Sequence, residues 1–196
     1  MFVTFEGLDG CGKTTQAQLL AESLTADGVD VVSTREPGGT PLGEEIRDLV
    51  LHGDHIAPWA ETALYLAARA QHVDQVIRPA LAGGATVVCD RYLDTSVAYQ
   101  GGGRELGVEE IRALNAFGTG GLTADRTLLL RIAPADGLAR IADGEADRLE
   151  LAGGEFFSRV AQTYDELAAA EPERFVVLDA AQPPDTVLAD AIEALR

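Results

Sequence analysis

Residues 2–14 read Phe2-Val3-Thr4-Phe5-Glu6-Gly7-Leu8-Asp9-Gly10-Cys11-Gly12-Lys13-Thr14, and this stretch decides the fold. Its second part, from Gly7 to Thr14, matches the phosphate-binding pattern G-x-x-x-x-G-K-[ST] in full. A β-prone apolar run precedes the pattern, and apolar residues at helical spacing follow it from Thr15 to Leu24. Because a glycine-rich segment between a strand and a helix is the context that this pattern requires, we predict a P-loop here.

The P-loop predicts a site for the phosphates of ATP. Its glycines let backbone N–H groups converge on phosphate oxygens, Lys13 reaches the β- and γ-phosphates, and Thr14 can bind Mg²⁺. Lys13 is the only lysine, since the other fourteen basic residues are arginines, which suggests a position that needs a compact ammonium group. The alternative is a glycine-rich turn with a solvated lysine. The predicted ATP-binding residues of the loop are Gly7, Leu8, Asp9, Gly10, Cys11, Gly12, Lys13, Thr14 and Thr15.

Composition limits the classes of function that fit the chain. With 196 residues and 46% hydrophobic content, residues 1–196 are expected to form a single globular domain. The absence of a long apolar segment and of a basic leader argues against a membrane span or signal peptide, and the two cysteines are expected to be free thiols, so we expect a cytoplasmic location. A net charge of −17 argues against nucleic acid and anionic membranes as partners and otherwise indicates a solvated acidic surface.

Strand-like and helix-like segments alternate along the whole chain. This alternation favours an α/β fold with a parallel five-stranded sheet and helices on both faces. The predicted strands cover residues 2–5, 29–34, 86–89, 127–132 and 175–178, and the predicted helices cover residues 15–24, 44–51, 60–81, 108–117 and 156–170 and begin again at 186.

Asp90 and Arg91 directly follow the apolar run of residues 86–89. At the carboxyl edge of a parallel sheet, where α/β folds place their sites, Asp90 can hold Mg²⁺ together with Thr14, and Arg91 can bind a phosphate. An ordinary surface ion pair is the alternative. The P-loop favours the functional interpretation.

With these motifs the chain resembles the thymidylate kinases, P-loop nucleoside monophosphate kinases that transfer the γ-phosphoryl group of ATP to dTMP in dTTP synthesis. The resemblance implies a P-loop kinase fold with a short lid at about residues 137–150, Mg²⁺ as cofactor, ATP as co-substrate and a homodimer. It covers nearly the whole chain, and its motifs are Gly7–Thr14, Arg35–Thr40, Asp90–Tyr92, Ser96–Arg104, Asp147-Arg148 and Asp179-Ala180.

The resemblance also implies a set of residues that bind dTMP. Tyr65 would stack on thymine and Arg69 would donate a hydrogen bond to it, and their spacing of four residues places them on one helix face. The alternative for this pair is core packing plus a solvated arginine, and the glycines after Gln100 could form only a flexible turn. The other implied contacts are Asp9 to the deoxyribose 3′-hydroxyl, Arg35 and Arg91 to the acceptor phosphate, Tyr99 in the space of a ribose 2′-hydroxyl, and Ser96 and Gln100 near base and sugar.

In the lid, the resemblance implies that Arg140 and Arg148 point at phosphates. It does not settle which arginine stabilises the transferring group, because Ala142 and Asp143 stand where a further base is expected. Ala180 and Gln182 would frame the adenine. The implied catalytic residues are Lys13, Asp90, Arg91, Arg140 and Arg148.

Two other readings of the chain remain open. Another nucleoside monophosphate or deoxynucleoside kinase would need different contacts from Arg69 and Tyr99. A P-loop switch that reads guanine would need an Asn-Lys-x-Asp element, whereas the one asparagine, Asn115, precedes alanine. His52, His55 and His72 are expected to be surface or packing residues, and Trp59 is expected in the local core rather than at a dimer face.

Replacing Lys13 with arginine tests the predicted phosphate site. We expect phosphoryl transfer from ATP to fall by roughly a hundredfold or more, because a planar guanidinium cannot replace a point charge inside a tight loop. ADP release measures the effect, and circular dichroism shows whether the variant is folded. Activity close to that of the unaltered chain would contradict the phosphate-site interpretation.

Overall fold

A computed structural model of the chain describes residues 1–141, 148–149 and 153–196. In these residues five strands form one sheet in the order β2-β3-β1-β4-β5, and every neighbouring pair is parallel. The predicted parallel five-stranded sheet with flanking helices is therefore confirmed. The strands are β1 (Phe2–Gly7), β2 (Val31–Arg35), β3 (Thr86–Asp90), β4 (Arg126–Arg131) and β5 (Phe175–Asp179).

Helices connect the strands, as parallel pairing requires. Two helical stretches contain π-helical turns, Val73–Ile77 and Val97–Gly103. The helices are α1 (Lys13–Ala26), α2 (Pro41–His52), α3 (Pro58–His72), α4 (Arg78–Ala82), α5 (Leu93–Ser96), α6 (Val108–Thr119), α7 (Pro134–Ile141), α8 (Gly154–Ala170) and α9 (Pro184–Glu193). Among the described residues, no helix is long and apolar enough to cross a membrane.

The central strand β1 is buried along its whole length. Its side chains meet apolar residues on both sides of the sheet, and each large side chain buried in this way stabilises the fold by about 1.5–3 kcal/mol. The core therefore lies around β1 and its neighbours, and it includes Phe2, Val3, Phe5, Val87, Val88, Leu128 and Leu130.

The register of the sheet brings the predicted site residues to one edge. Phe5 of β1 pairs with Asp90 of β3, and Asp90 also pairs with Arg35 of β2. On the other side of β1, Gly7 pairs with Leu130 of β4. The P-loop, Asp90 and Arg35 therefore leave the sheet side by side.

The glycines after Gln100 form part of a packed helix and not a flexible turn. A methyl group on Gly102 would lie 1.9 Å from Oγ1 of Thr163, and one on Gly103 would lie 2.5 Å from a ring carbon of Phe156. The segment thus needs glycine so that it can approach α8 closely. The sequence analysis predicted no helix here, because three consecutive glycines resemble a loop.

Trp59 was expected in the local core, and this expectation is wrong. Its side chain is 53% exposed on α3, so it does not belong to the local core. By contrast, the charged residues of the same helix, Glu61 and Arg69, are buried. Helix α3 therefore turns its charges inward and an apolar face outward.

Candidate active site

The P-loop joins β1 to α1 through backbone conformations that only glycine adopts easily. Gly7, Gly10 and Gly12 have φ angles of 139°, 76° and 93°. A methyl group on Gly10 would also lie 2.1 Å from the carbonyl oxygen of Gly137, so α7 packs directly on the loop. Helix α1 begins at Lys13. The backbone N–H groups of its first turn and the positive end of its dipole therefore face the loop.

The Lys13 side chain lies inside the loop and is only 6% exposed. Its Nζ donates a hydrogen bond to the Leu8 carbonyl oxygen at 2.7 Å. The ammonium group is thus held at the wall of a cavity of about 640 Å³. This cavity brings the P-loop together with both predicted phosphate-binding arginines, and it is lined by Asp9, Gly10, Gly12, Lys13, Thr14, Thr15, Arg35, Glu36, Arg47, Asp90, Arg91, Arg140 and Ile141.

Thr14 and Asp90 meet at the mouth of the loop, as predicted for a metal pair. The Thr14 hydroxyl donates to Oδ2 of Asp90 at 2.5 Å. The second carboxylate oxygen, Oδ1, is buried and has no hydrogen-bond partner among the residues that the structure describes. An orphaned buried carboxylate oxygen beside a threonine hydroxyl fits the hard oxygen ligands that Mg²⁺ prefers.

Arg91 lies between the P-loop and the acceptor side of the cavity. Its guanidinium donates to the Gly7 carbonyl oxygen at 3.1 Å and to the Tyr99 hydroxyl at 3.4 Å, and it forms an ion pair with Asp9. The Tyr99 hydroxyl also donates to Asp9 at 2.8 Å. Burial raises the pKa of Asp9, but the positive charges of Arg91 and Lys13 outweigh it, so this pKa lies below its usual range.

Arg35 is the exposed member of the phosphate-binding pair. It donates to Glu44 of α2 at 2.8 Å, and the other oxygen of Glu44 accepts from the Gly39 backbone N–H at 3.0 Å. Glu44 thus connects Arg35, at the end of β2, to the loop that follows it. An exposed pair of this kind has a small effect on stability.

Arg69 is not solvated, which excludes the alternative of a surface arginine. The residue is 2% exposed, and it donates to Glu36 at 2.7 Å, to Ser96 at 2.9 Å and to Asn115 at 2.5 Å. A fourth bond goes to the Tyr92 carbonyl oxygen at 3.1 Å. Ser96, which was expected near the base and sugar, accepts a hydrogen bond from Arg69 in the structure.

His72 is more than a packing residue. Its ring contacts Oε1 of Glu36 at 2.9 Å and the Thr34 hydroxyl at 2.7 Å, while Oε2 of the same carboxylate accepts from Arg69. Glu36 therefore has both oxygens occupied by buried groups of α3. The sequence analysis missed Glu36 and His72, although the three-residue spacing of Arg69 and His72 places them on one helix face.

A second cavity of about 90 Å³ is lined by five of the eight residues predicted to bind dTMP, whereas Arg35, Arg69 and Ser96 do not line it. Four residues line both cavities and form the boundary between them, namely Asp9, Glu36, Arg47 and Arg91. The second cavity is lined by Asp9, Glu36, Pro37, Arg47, Leu51, Tyr65, Arg91, Thr95, Tyr99, Gln100 and Leu149.

Comparison with known proteins identifies the family. Residues 5–191 match the family model described as thymidylate kinase. The chain belongs to the thymidylate kinase family. It is 54% identical over 189 residues to a thymidylate kinase of Synechococcus sp. (strain JA-3-3Ab), an alignment that covers 96% of this chain and 92% of the relative.

Two further relatives support this assignment. A thymidylate kinase of Bifidobacterium longum (strain DJO10A) is 54% identical over 199 residues, covering 99% of this chain and 96% of the relative. The crystal structure of thymidylate kinase from Ehrlichia chaffeensis has a TM-score of 0.83 at 33% identity and covers 100% of this chain and 98% of its own. The resemblance and the P-loop kinase fold are therefore confirmed.

The two arginines of the predicted lid, Arg140 and Arg148, lie in different parts of this thymidylate kinase. Arg140 donates to the carbonyl oxygens of Gly10 at 3.4 Å and Ala180 at 3.1 Å, so it bridges the P-loop and the loop after β5. In that loop the Gln182 side chain donates to Asp179 at 2.9 Å, with both residues exposed. Of the predicted lid, Ala142, Asp143 and Asp147 lie outside the described residues.

Arg148 lies away from the P-loop cavity, whereas the resemblance implies that it points at phosphates. Its guanidinium forms an ion pair with the buried carboxylate of Glu61 and donates to the Val50 carbonyl oxygen at 3.1 Å. Glu61 also accepts from Gln100 at 2.9 Å. Arg148 thus holds the neighbouring Leu149 against the acceptor cavity.

The position of Arg148 predicts how the Arg148→Ala substitution affects the two KM values. We expect its KM for dTMP to rise by roughly tenfold, about 1.4 kcal/mol, because Leu149 loses its anchor on Glu61, while its KM for ATP changes little. The control Arg140→Ala should show the reverse, since Arg140 bridges the P-loop. Steady-state kinetics with each substrate varied in turn provides the test. A fall in kcat with both KM values unchanged would mean that Arg148 acts on the transferring group.

Proposed function

We propose that this chain transfers the γ-phosphoryl group of ATP to dTMP in the presence of Mg²⁺, which supplies dTDP for dTTP synthesis. The observation that supports this most is the pair of adjoining cavities with Asp9 and Arg91 at their boundary. One cavity contains the P-loop and Asp90, and the other is lined by Tyr65, Tyr99 and Gln100, which were predicted to bind dTMP. A phosphoryl group that passes between two nucleotides needs this arrangement.

Lys13, Arg35 and Arg91 are the groups that neutralise charge during transfer. Phosphoryl transfer depends mainly on positioning and on stabilising the charge of the equatorial oxygens, so no strong protein base is needed. Lys13 lies on the donor side, and Arg35 and Arg91 reach the same cavity from the acceptor side. Arg91 therefore has access to both the acceptor phosphate and the transferring group.

Thr14 and Asp90 are the residues that would hold Mg²⁺. An ion held there would supply positive charge to the phosphate groups of ATP during transfer. A single carboxylate and one hydroxyl suffice, since Mg²⁺ in nucleotide sites takes its remaining ligands from phosphates and water. The buried Oδ1 of Asp90 supports this assignment because no described residue forms a hydrogen bond with it.

Arg69 is proposed to recognise thymine. A guanidinium has five N–H groups, and four of those in Arg69 are bound to Glu36, Ser96, Asn115 and the Tyr92 carbonyl oxygen. The remaining Nη2 hydrogen is available for a thymine carbonyl. Because the other four bonds fix its direction, Arg69 cannot adapt to a base with a donor in that place.

Tyr99 is proposed to exclude ribonucleotides. Its ring makes edge contacts with Phe156, Phe157 and Tyr164, with centroid distances of 5.9, 6.5 and 6.5 Å. Its hydroxyl is bound to Asp9. The ring is therefore held from several sides and cannot move aside for a 2′-hydroxyl without disturbing packed aromatic groups.

The proposed reaction predicts a defined substrate profile. In a coupled assay for ADP release with ATP and Mg²⁺, dTMP should give at least about tenfold higher kcat/KM than the ribose form of TMP, and CMP and GMP should give less, because of Tyr99 and Arg69. dUMP measures the contribution of the thymine methyl group. ATP without acceptor, and Lys13→Arg with dTMP, are the controls. ADP release that is indifferent to dTMP but responds to GMP or to a protein would contradict the proposal.

The outward face of α3 and α6 supports a homodimer. The exposed residues of α3 are apolar, Pro58, Trp59, Ala60, Ala63 and Ala67, while Phe117 on the neighbouring α6 is 88% exposed. In a chain with a net charge of −17, the uncharged exposed side of α3 is where two copies can meet with little repulsion. We propose that a second copy covers this face by two-fold symmetry.

We propose the cytoplasm as the location of this protein. The buried free thiols of Cys11 and Cys89 fit a reducing compartment.

Phe117→Asp tests the homodimer. We expect the variant to be monomeric at micromolar concentration, because the substitution places a carboxylate twice in a symmetric apolar contact. Sedimentation velocity measures the mass, and circular dichroism confirms the fold. Val177→Asp, at an apolar residue that is 40% exposed on β5, is the matched control and should keep the mass of the unaltered chain. An unaltered chain that is monomeric, or a dimeric Phe117→Asp, would contradict this interface.

A further inference from the structure

Glu6 is a buried carboxyl group that the proposed chemistry does not use. It is 0% exposed near the end of β1, and each oxygen accepts hydrogen bonds. Oε1 accepts from the Tyr92 backbone N–H at 2.8 Å, and Oε2 accepts from the Thr95 hydroxyl at 2.5 Å and the Tyr164 hydroxyl at 2.9 Å. Tyr92 and Thr95 belong to the segment that carries Arg91.

The backbone of Arg91 needs support from outside. Its φ angle is 69°, in the left-handed region that costs a residue other than glycine of the order of 1–3 kcal/mol. The peptide groups on both sides of Arg91 are bound to consecutive residues of β1. The Arg91 N–H donates to the Phe5 carbonyl oxygen at 2.9 Å, and the Tyr92 N–H donates to Glu6.

The guanidinium of Arg91 is connected to Glu6 through Thr95. Arg91 donates to the Thr95 hydroxyl oxygen at 3.2 Å, and that hydroxyl donates its only hydrogen to Glu6. A carboxylate at Glu6 keeps the hydrogen of Thr95 turned away from Arg91, so the hydroxyl oxygen can accept from the guanidinium. A protonated Glu6 can donate its own hydrogen to Thr95 instead. The Thr95 hydrogen is then free to rotate, and the hydrogen bond from Arg91 to Thr95 is weakened.

We propose that Glu6 is a positioning residue for Arg91, whose carboxylate form fixes both the backbone and the guanidinium of Arg91 towards the acceptor phosphate. The proposal rests on the proposed phosphoryl transfer to dTMP and adds a residue to it. Glu6 acts through Tyr92 and Thr95, so it need not contact substrate.

The surroundings of Glu6 make this carboxylate sensitive to pH. Burial and the negative charge of Asp94 raise the pKa of Glu6 to about 7, although Thr95, Arg91 and the Tyr92 N–H lower it. Hence Glu6 loses its negative charge as the pH falls below neutrality. The titratable or charged groups that face Glu6 are Arg91 after β3, Asp94 of α5, Tyr164 of α8, Arg69 of α3 and Cys89 of β3.

The ionised form of Glu6, which positions Arg91, makes the fold less stable than the protonated form does. Because the pKa is raised from 4.5 to about 7 in the folded chain, the folded state binds this proton more tightly than the unfolded state. The contribution of Glu6 to the free energy of unfolding is therefore present below pH 4.5 and is lost as the pH rises through about 7. A neutral replacement should not show this loss.

Glu6→Gln is the variant that tests the proposal. At pH 8 we expect its kcat/KM for dTMP to be roughly tenfold below that of the unaltered chain, because neutral hydrogen bonds replace charge-assisted ones. Its thermal stability at pH 8 should be equal or higher. At pH 6 the two proteins should differ by less than at pH 8. The phosphate of dTMP also titrates near pH 6, but both proteins share that step, so the difference between the profiles belongs to Glu6.

Tyr164→Phe is the second variant and removes one hydrogen bond from the carboxylate while leaving Tyr92 and Thr95 in place. It should keep most of the kcat/KM at pH 9 and move the midpoint of the profile to higher pH. Equal pH profiles for Glu6→Gln and the unaltered chain would overturn the positioning role, as would a Glu6→Gln variant that loses stability and activity together at pH 8. If the unaltered chain fails to phosphorylate dTMP, the proposed function fails instead.

Discussion

The parallel pairing of β1 with β3 is the constraint on which the rest of the site depends. It places Phe5 beside Asp90, so the P-loop and the Asp90-Arg91 corner leave the sheet from adjacent central strands. Residues 5 and 6 of β1 then hold the peptide groups around Arg91. A shift of one residue in this register would separate Thr14 from Asp90 and turn the side chains of β1 to the opposite face.

Ion pairs inside the protein organise the acceptor half of the site. Arg69 meets Glu36, and Arg148 and Arg104 meet Glu61, each with a nearly fully buried carboxylate. Buried pairs of this kind add little net stability, but leaving one partner alone is costly, so they fix which side chains stand together. The charges that would otherwise contribute to the acidic surface thus determine the shape of the nucleotide pocket.

The sequence predicted all five strands, the P-loop and the Asp90-Arg91 corner, because these features depend on local pattern and on short motifs. It did not predict Glu6, Glu36 or His72 as parts of the site. Their roles come from partners distant in the chain, as between Tyr164 and Glu6, which are 158 residues apart. Arg148 was assigned to the phosphates because its motif suggested the lid, whereas the buried Glu61 decides where its guanidinium lies.

The single lysine has a consequence for the chemistry of the folded protein. Every other cationic side chain is arginine, and the Nζ of Lys13 is enclosed by the loop and bound to the Leu8 carbonyl oxygen. Acylating reagents and amine cross-linkers therefore find no exposed lysine side chain on this chain. The side chains on its exterior are almost inert to lysine-directed labelling, so the positive charges of the surface stay in place under reagents that would neutralise lysines.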